Sequence, residues 1–403
     1  MRRVLVRTVS VLVVLLMATP AWAAPGELDT SFGGDGIVAV DYGGTSEEFW
    51  HGAPDGAKIV AAGAVDDDFA VARLRPGGAP DPDFGGGDGR RTIDFGFEDG
   101  AYGVAVYPTG RVAVVGWAND AGGDARLAVA RLRPSGKLDR TFSGDGRTTV
   151  RSPDGLPVYA YDAVVQPDGK LVVVGESYDG GDGRFVVCRF TRKGRLDRAF
   201  HHDGRLTLNV GPGVDGAWRV ALTADGQIVV AGWSEGASYR TAVARFLPNG
   251  RRDTSFSKDG MRVLDLAPGY DSAVGLGLAR DGGVVIGARA DNGGEDPHIV
   301  KLTARGKNDP SFGGGDGIVS NFADGYTLVD IGIRSDGRIL GVTSSGAAIA
   351  AFLVSRMGVF GAGYGLVVTA TNAEIEAMYV DAKGRPVITG REGGEASIIR
   401  LKA

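Results

Sequence analysis

The chain has a single cysteine, Cys188, and only four histidines in 403 residues. One thiol excludes a disulfide framework and any zinc site built on cysteine pairs. Charge of one sign is also missing: 44 basic residues face 49 acidic ones, for a net charge of −5. That balance offers no basic stripe to nucleic acid. Long apolar runs are absent too. The most apolar stretch, Val9–Ala18, falls short of the about 20 residues that a membrane-spanning helix needs. What the chain has in excess is glycine, 67 residues, with 17 prolines and an apolar fraction of 43%. No Gly-X-Y period accompanies the glycines, so a collagen is excluded, and the apolar content argues against disorder. Many short strands joined by many turns fit best.

The first 23 residues read as a secretory signal. Arg2, Arg3 and Arg7 precede the apolar stretch, and Ala21-Trp22-Ala23 supplies the small-residue cleavage site. The expectation is a protein secreted to the periplasm or the extracellular space, with residues 24–403 as one domain. Without disulfides that domain depends on core burial. Cys188, in the run Phe185–Arg189, reads as a small buried side chain, because Ala72, Ala130 and Ala244 occupy the matching place elsewhere.

Three phrases recur in fixed order, seven times each. The first, Leu138-Asp139-Arg140-Thr141-Phe142, has counterparts ending at Phe32, Phe84, Phe200, Phe256 and Phe312, with a degraded copy ending at Phe360. The second is a turn and a β-rich run, such as Pro167-Asp168-Gly169-Lys170 followed by Leu171–Gly175. The third is typified by Leu127–Leu132. Each unit reads as four strands, A to D; in the third unit these are Gly146–Val150, Tyr159–Gln166, Lys170–Gly175 and Phe185–Phe190. The Asp-Gly between B and C suits a tight hairpin, and unbroken Val/Ile runs in C suit strands covered on both faces. A four-stranded unit repeated seven times predicts an all-β, seven-bladed β-propeller. An open solenoid is the alternative.

The termini favour a closed ring. In a full unit the D-strand Arg precedes the Asp of the next phrase by eight residues, as in Arg73 and Asp81 or Arg131 and Asp139. Arg400 has no following Asp and Asp29 no preceding Arg, and joining Ala403 to Pro25 restores the spacing. In the sixth unit the two positions are read as Ala351 and Met357, lost together. The expectation is an internal ion pair repeated at each junction.

These phrases resemble the delta-60 repeat family, tandem units of about this length in exported bacterial proteins. The resemblance spans essentially all of 25–403 and implies a propeller. It brings no catalytic residues.

Antiparallel order puts the A–B and C–D loops on one face and the repetitive B–C and D–A phrases on the other. The variable face is where a single ligand would break the symmetry. Trp50, Trp117, Trp218 and Trp233 border it, with Tyr178, Tyr239 and Tyr270 nearby. Aromatic faces beside polar groups suit sugar rings, although Trp also fills gaps between blades. Catalytic signatures are thin. Gly232-Trp233-Ser234-Glu235-Gly236 has the nucleophile-elbow pattern but leads to a strand instead of a helix. Gly361-Ala362-Gly363-Tyr364-Gly365 precedes a strand and is no dinucleotide loop. His201-His202 replaces the small residues of other linkers and reads as surface. No cofactor or metal is expected; Asp66-Asp67-Asp68, Asp81-Pro82-Asp83 and Asp179–Asp182 leave calcium as a candidate that no known loop motif demands. The function expected is a secreted, non-catalytic, monomeric binding or scaffold module, its ligand an extracellular polysaccharide or protein surface. The alternative is an exported propeller enzyme acting on carbohydrate in the manner of a glycosidase.

Overall fold

The computed structural model describes residues 27–402, except 179, 182, 292–293, 321, 323–324, 346–347, 361–365 and 369–373, and the side chains of 366–368. The secretory signal, the 361–365 segment and Asp179–Asp182 as a ligand set therefore fall outside the described residues. No helix is long and apolar enough to cross a membrane among the residues described.

The chain forms seven four-stranded antiparallel sheets arranged as a ring. Blade 3 shows the pattern, with strands Val158–Val165, Leu171–Tyr178, Gly183–Phe190 and Arg205–Leu208 hydrogen-bonded in that order. The blade is thus offset by one strand from the A-to-D unit read in the sequence: strands B, C and D are joined by the A strand of the next unit. In blade 7 three strands, Glu374–Val380, Pro386–Glu392 and Glu395–Arg400, come from the C-terminal end. The fourth, Ile37–Val40, comes from the N-terminal end, in register from Ile37 opposite Ile399 to Val40 opposite Ala396. The ring is closed, and the solenoid alternative is excluded.

The B strands stand nearest the axis, each beside the B strands of both neighbouring blades. The C strands are covered on both faces, as their unbroken apolar runs require; Leu171 to Val174 are fully buried. Blades then pack face to face. Between blades 2 and 3, Val129, Phe142, Val173 and Phe190 share one cluster with Cys188. Burial pushes the Cys188 thiol up to about 12, which leaves it protonated and inert. The B–C hairpin turns on Gly169 at φ 78°, left-handed backbone that glycine adopts without a Cβ penalty.

A latch closes every full junction. Arg131 Nε donates to Asp139 at 3.0 Å while its guanidinium lies 4.7 Å from the Phe142 ring centre and donates to the Arg192 carbonyl of the next blade at 2.7 Å. The same geometry joins Arg73 to Asp81 and Phe84, Arg189 to Asp197 and Phe200, and Arg245 to Asp253 and Phe256. Lys301 serves Asp309 at 2.7 Å. At the ring closure Arg400 reaches Asp29 at 2.8 Å and stacks over Phe32 at 4.5 Å, so the pair divided between the termini does meet. A second cation, from the B–C hairpin, completes the set: Lys58 on Asp81, Arg111 on Asp139, Lys170 on Asp197 and Arg385 on Asp29. Burial by itself would raise the pKa of these aspartates. Hydrogen bonds from neighbouring hydroxyls and the paired cations outweigh it, holding Asp29 and Asp139 below the usual range and Asp309 at about 2.

The sixth junction corrects the sequence register by a few residues. Val354 bridges to Phe360 as Leu132 bridges to Leu138, which makes Phe360 the counterpart of Leu138 and not of Phe142. The latch positions are therefore Leu353 and Gly361, in place of Ala351 and Met357, and Tyr364 takes the place of Phe. Met357 is an exposed turn residue. Gly361 and Tyr364 lie outside the described residues, but cation and carboxylate are still absent from the sequence together.

Removing one partner of a buried pair typically costs about 3–5 kcal/mol. Arg131→Ala should lower unfolding free energy on that scale, and Arg131→Ala/Asp139→Ala by less than the sum of the two single losses. Arg400→Ala should cost as much as Arg131→Ala in urea titrations. A much smaller loss would mean that the closing junction is looser than the internal ones.

Candidate binding site at the mouth of the central channel

In every blade the pairing of strands B and C slips by one residue at the same level. The unpaired residue is a β-bulge, a device that bends the strand and re-aims a side chain. The bulged residues are Trp50, Tyr102, Tyr161, Trp218, Val274, Val329 and Glu376. In four consecutive blades they are aromatic, and their rings form a continuous arc. Trp50 lies 4.7 Å from Tyr102, Tyr102 lies 5.3 Å from Tyr161, and Tyr161 lies 6.0 Å from Trp218. Sequence reading picked out both Trp and missed both Tyr. Aligned on the turn glycine, six of the seven fall in one column eight residues ahead of that glycine, and Trp50 of the shorter first repeat stands six ahead.

At the arc's end the rings continue onto the variable face. Trp233 meets Trp218 edge to face at 5.2 Å. It occupies the space above its register partner Gly216, where a Cβ would fall 2.1 Å from the indole. Trp117 lies in the same relation to Gly100 in blade 2, with Tyr159 6.2 Å away. Trp218, Trp233, Tyr178, Tyr239 and Tyr270 with Glu176 line a cavity of about 340 Å³. Tyr239 and Tyr270 pair at 5.3 Å. Glu176 is 8% exposed and accepts the Tyr161 hydroxyl at 2.5 Å; burial raises its pKa, and that hydrogen bond opposes the rise. Four of the six aromatics singled out in the sequence thus share one cavity, while Trp50 belongs to the arc that leads to it and Trp117 stands apart beside Tyr159.

Immediately after the bulge comes a ring of polar residues: His51, Asp162, Arg219 and Asp330. Asp162 accepts the Val220 N–H of the next blade at 2.9 Å, and Asp330 accepts the Met378 N–H at 3.3 Å. Each carboxylate thereby satisfies a backbone donor beside its neighbour's bulge. Arg219 lies 3.4 Å from Asp330, and His51 lies 3.9 Å from Asp162. Burial, aided by Arg219, lowers the His51 pKa to about 4, and burial against the pull of Arg219 raises Asp162 to about 6. The result is a polar floor under an aromatic mouth. Spacing cannot reveal it, because the four residues come from blades 1, 3, 4 and 6. The opposite side of the mouth is charged: Glu48, its pKa raised by burial, stands near Glu374, which pairs with Arg391.

The acidic runs have structural work. Asp81 is taken by Arg73 and Lys58, and Asp66 accepts the Thr45 N–H and hydroxyl. Asp68, Asp94 and Asp99 bring carboxylate oxygens within 4.8 Å of one another, the one such group among the described residues. Asp99 caps the loop before its strand, accepting the Phe69 and Phe95 N–H groups at 2.8 Å, as Glu47 and Asp215 do in their blades. Ser234 is buried inside a β-strand, Ile228–Glu235, so the nucleophile-elbow pattern has no elbow.

Residues 53–84, 108–142, 166–200 and 223–256 match a family model described as a domain of unknown function (DUF5122) beta-propeller. The repeats are therefore similar to a β-propeller repeat family. No curated protein sequence matches. Among solved structures, YCF48 bound to D1 peptide superposes with a TM-score of 0.53 at 10% identity, over 96% of this chain and 100% of that one. A catalytically inactive virginiamycin B lyase from Staphylococcus aureus gives 0.55 at 10% identity over 91% and 99%. Puromycin hydrolase gives 0.53 at 14% over 88% of this chain and 52% of its own. At such identities the likeness is one of fold: propellers of varied function.

Folding raises the Asp162 pKa, so this group contributes stability in full below about pH 4, and the contribution is lost as pH rises through about 6. Relative to the native chain, Asp162→Asn should be less stable at pH 4, and that deficit should shrink by about 3 kcal/mol by pH 8. Urea unfolding at the two pH values measures it. A deficit independent of pH would mean that Asp162 titrates normally.

Proposed function

We propose that the protein is an exported, monomeric, non-catalytic binding module of the delta-60 type, and that residues 1–23 direct its export. Its ligand on this reading is an extracellular glycan lying along the aromatic arc, with one unit seated in the cavity between Trp218, Trp233, Tyr178 and Tyr239. That cavity carries the reading. Aromatic faces give apolar contact to sugar rings while Glu176 and the polar floor offer hydrogen bonds to hydroxyls.

A protein surface is the second reading, supported by the charged side of the mouth at Glu48, Glu374 and Arg391. The peptide bound to YCF48 supports the capacity of the fold to carry one. Glycosidase chemistry would require a second carboxylate facing Glu176; among the described residues lining the cavity, Glu176 is the only acid.

A glycan array probed with residues 24–403 tests the proposal, alongside the variant Tyr178→Ala/Tyr239→Ala. Selective binding weakened at least about tenfold in the folded variant is the expected result. A blank array with binding to a peptide library would replace it with the second reading. Glycan hydrolysis abolished by Glu176→Gln would replace it with the enzymatic one.

A further inference from the structure

The repetitive face holds a feature unrelated to the aromatic mouth. Two open grooves, of about 1060 and 810 Å³, lie on the D–A linkers of blades 3 and 4 and share Arg198 as a common wall. Charge there is strongly one-sided although the chain as a whole is acidic. Lys170, Arg205 and Arg192 are engaged, the first two by Asp197 and Asp203 and the third by the Asp168 carbonyl. Lys193, Arg195, Arg198 and Arg251 are exposed, and none of their side chains has a hydrogen bond or acidic partner among the described residues. The Arg252 guanidinium has the Met261 sulfur as its one hydrogen-bond partner among the described residues. Of the acids in the same linkers, Asp197 and Asp253 are consumed inside the latches, Asp203 is paired with Arg205, and Asp259 accepts the Met261 N–H.

The linker that divides the grooves departs from the repeat. Where three other linkers place consecutive glycines, such as Gly33-Gly34, this one places His201 and His202 at φ 39° and 69°, left-handed backbone that residues with a Cβ resist. Both rings are exposed at the groove wall, 5.5 Å apart. The imidazoles add ring nitrogens, which glycine lacks, to a surface already rich in donors.

We infer that the grooves about Arg198 are a second binding site, for a linear acidic polysaccharide bearing carboxylate or sulfate groups. Unpaired guanidinium groups chelate such anions with paired N–H donors. Thr191, Thr207, Asn209 and Asn249 along the same walls supply neutral donors and acceptors suited to hydroxyls. No Trp or Tyr lines either groove, which leaves the two histidine rings as the sole exposed aromatic faces there, too few to stack a run of unpaired bases. The shallow, connected shape fits a chain, not a single small anion.

The test is affinity electrophoresis of residues 24–403 in polygalacturonate, heparin and neutral dextran, with a single-stranded oligonucleotide as competitor. Retardation by one or both acidic glycans and not by dextran is expected, and the glycan that retards identifies the anion. Affinity should fall on the order of tenfold between low and about 0.3 M salt, as counterion release dictates. Arg198→Glu/Arg251→Glu and, independently, Lys193→Ala/Arg195→Ala should each weaken binding several-fold without lowering Tm. Tyr178→Ala/Tyr239→Ala should leave it unchanged, which separates this face from the aromatic mouth. The inference is overturned if neither acidic glycan binds, if both charge variants bind like the native chain, or if the oligonucleotide binds more tightly than the glycans.

Discussion

The Arg–Asp–Phe latch is the constraint on which the rest of the molecule depends. A propeller blade buries both faces of its C strand, but the linkers that pass from one blade to the next run over the surface and need their own anchor. The latch supplies it with one side chain that faces four ways. Arg131 joins its own D strand, the carboxylate and ring of its linker, and a carbonyl of the following blade. The guanidinium is suited to this because it offers five donors in a fixed plane and a flat face for stacking. Lys301 keeps the charge and the carboxylate contact but not the ring.

Because the latches fix the linkers, the opposite face is free to vary, and the bulges exploit that freedom. A bulge at the same level of every B strand re-aims one side chain per blade without disturbing the pairs on either side, towards the aromatic arc in four blades and into the core between blades at Val274 and Val329. Ring and channel are therefore independently adjustable. The scaffold is repeated, and the seven bulged residues are not: four are aromatic, two are Val and one is Glu. The polar residues behind them have a structural role in Asp162 and Asp330, which answer backbone donors of the next blade, while burial and Arg219 together keep the His51 pKa low.

The architecture was legible because it is periodic. Eight-residue spacing between Arg and Asp is a local pattern, and a local pattern repeated around a ring predicts a contact across the termini. The hairpin cations Lys58, Arg111, Lys170 and Arg385 escaped notice, since their link to the latch aspartate crosses from one turn to another. The sixth junction misled because Phe360 has the right residue type at the wrong place; backbone pairing with Val354, and not side-chain identity, fixes the register. The site was legible only in part. Trp218 and Trp233 stand out by rarity, whereas Tyr102 and Tyr161 acquire meaning only in a column of aligned strands. Convergence of residues from blades 1, 3, 4 and 6 is a property of the ring and has no signature along the chain.

The closing strand carries a consequence for how the molecule assembles. Asp29 and Arg400 lie 371 residues apart in sequence and Glu27 and Lys402 lie 375 apart, so the junction that these pairs form closes the longest loop among the described residues. Before it forms, Glu395–Arg400 presents an open edge and Ile37–Val40 is a strand without a sheet. The two are complementary whichever molecule they come from. At high concentration the N-terminal strand of one chain would compete for the open blade of another, giving a swapped ring of two chains held by the same latch that seals one.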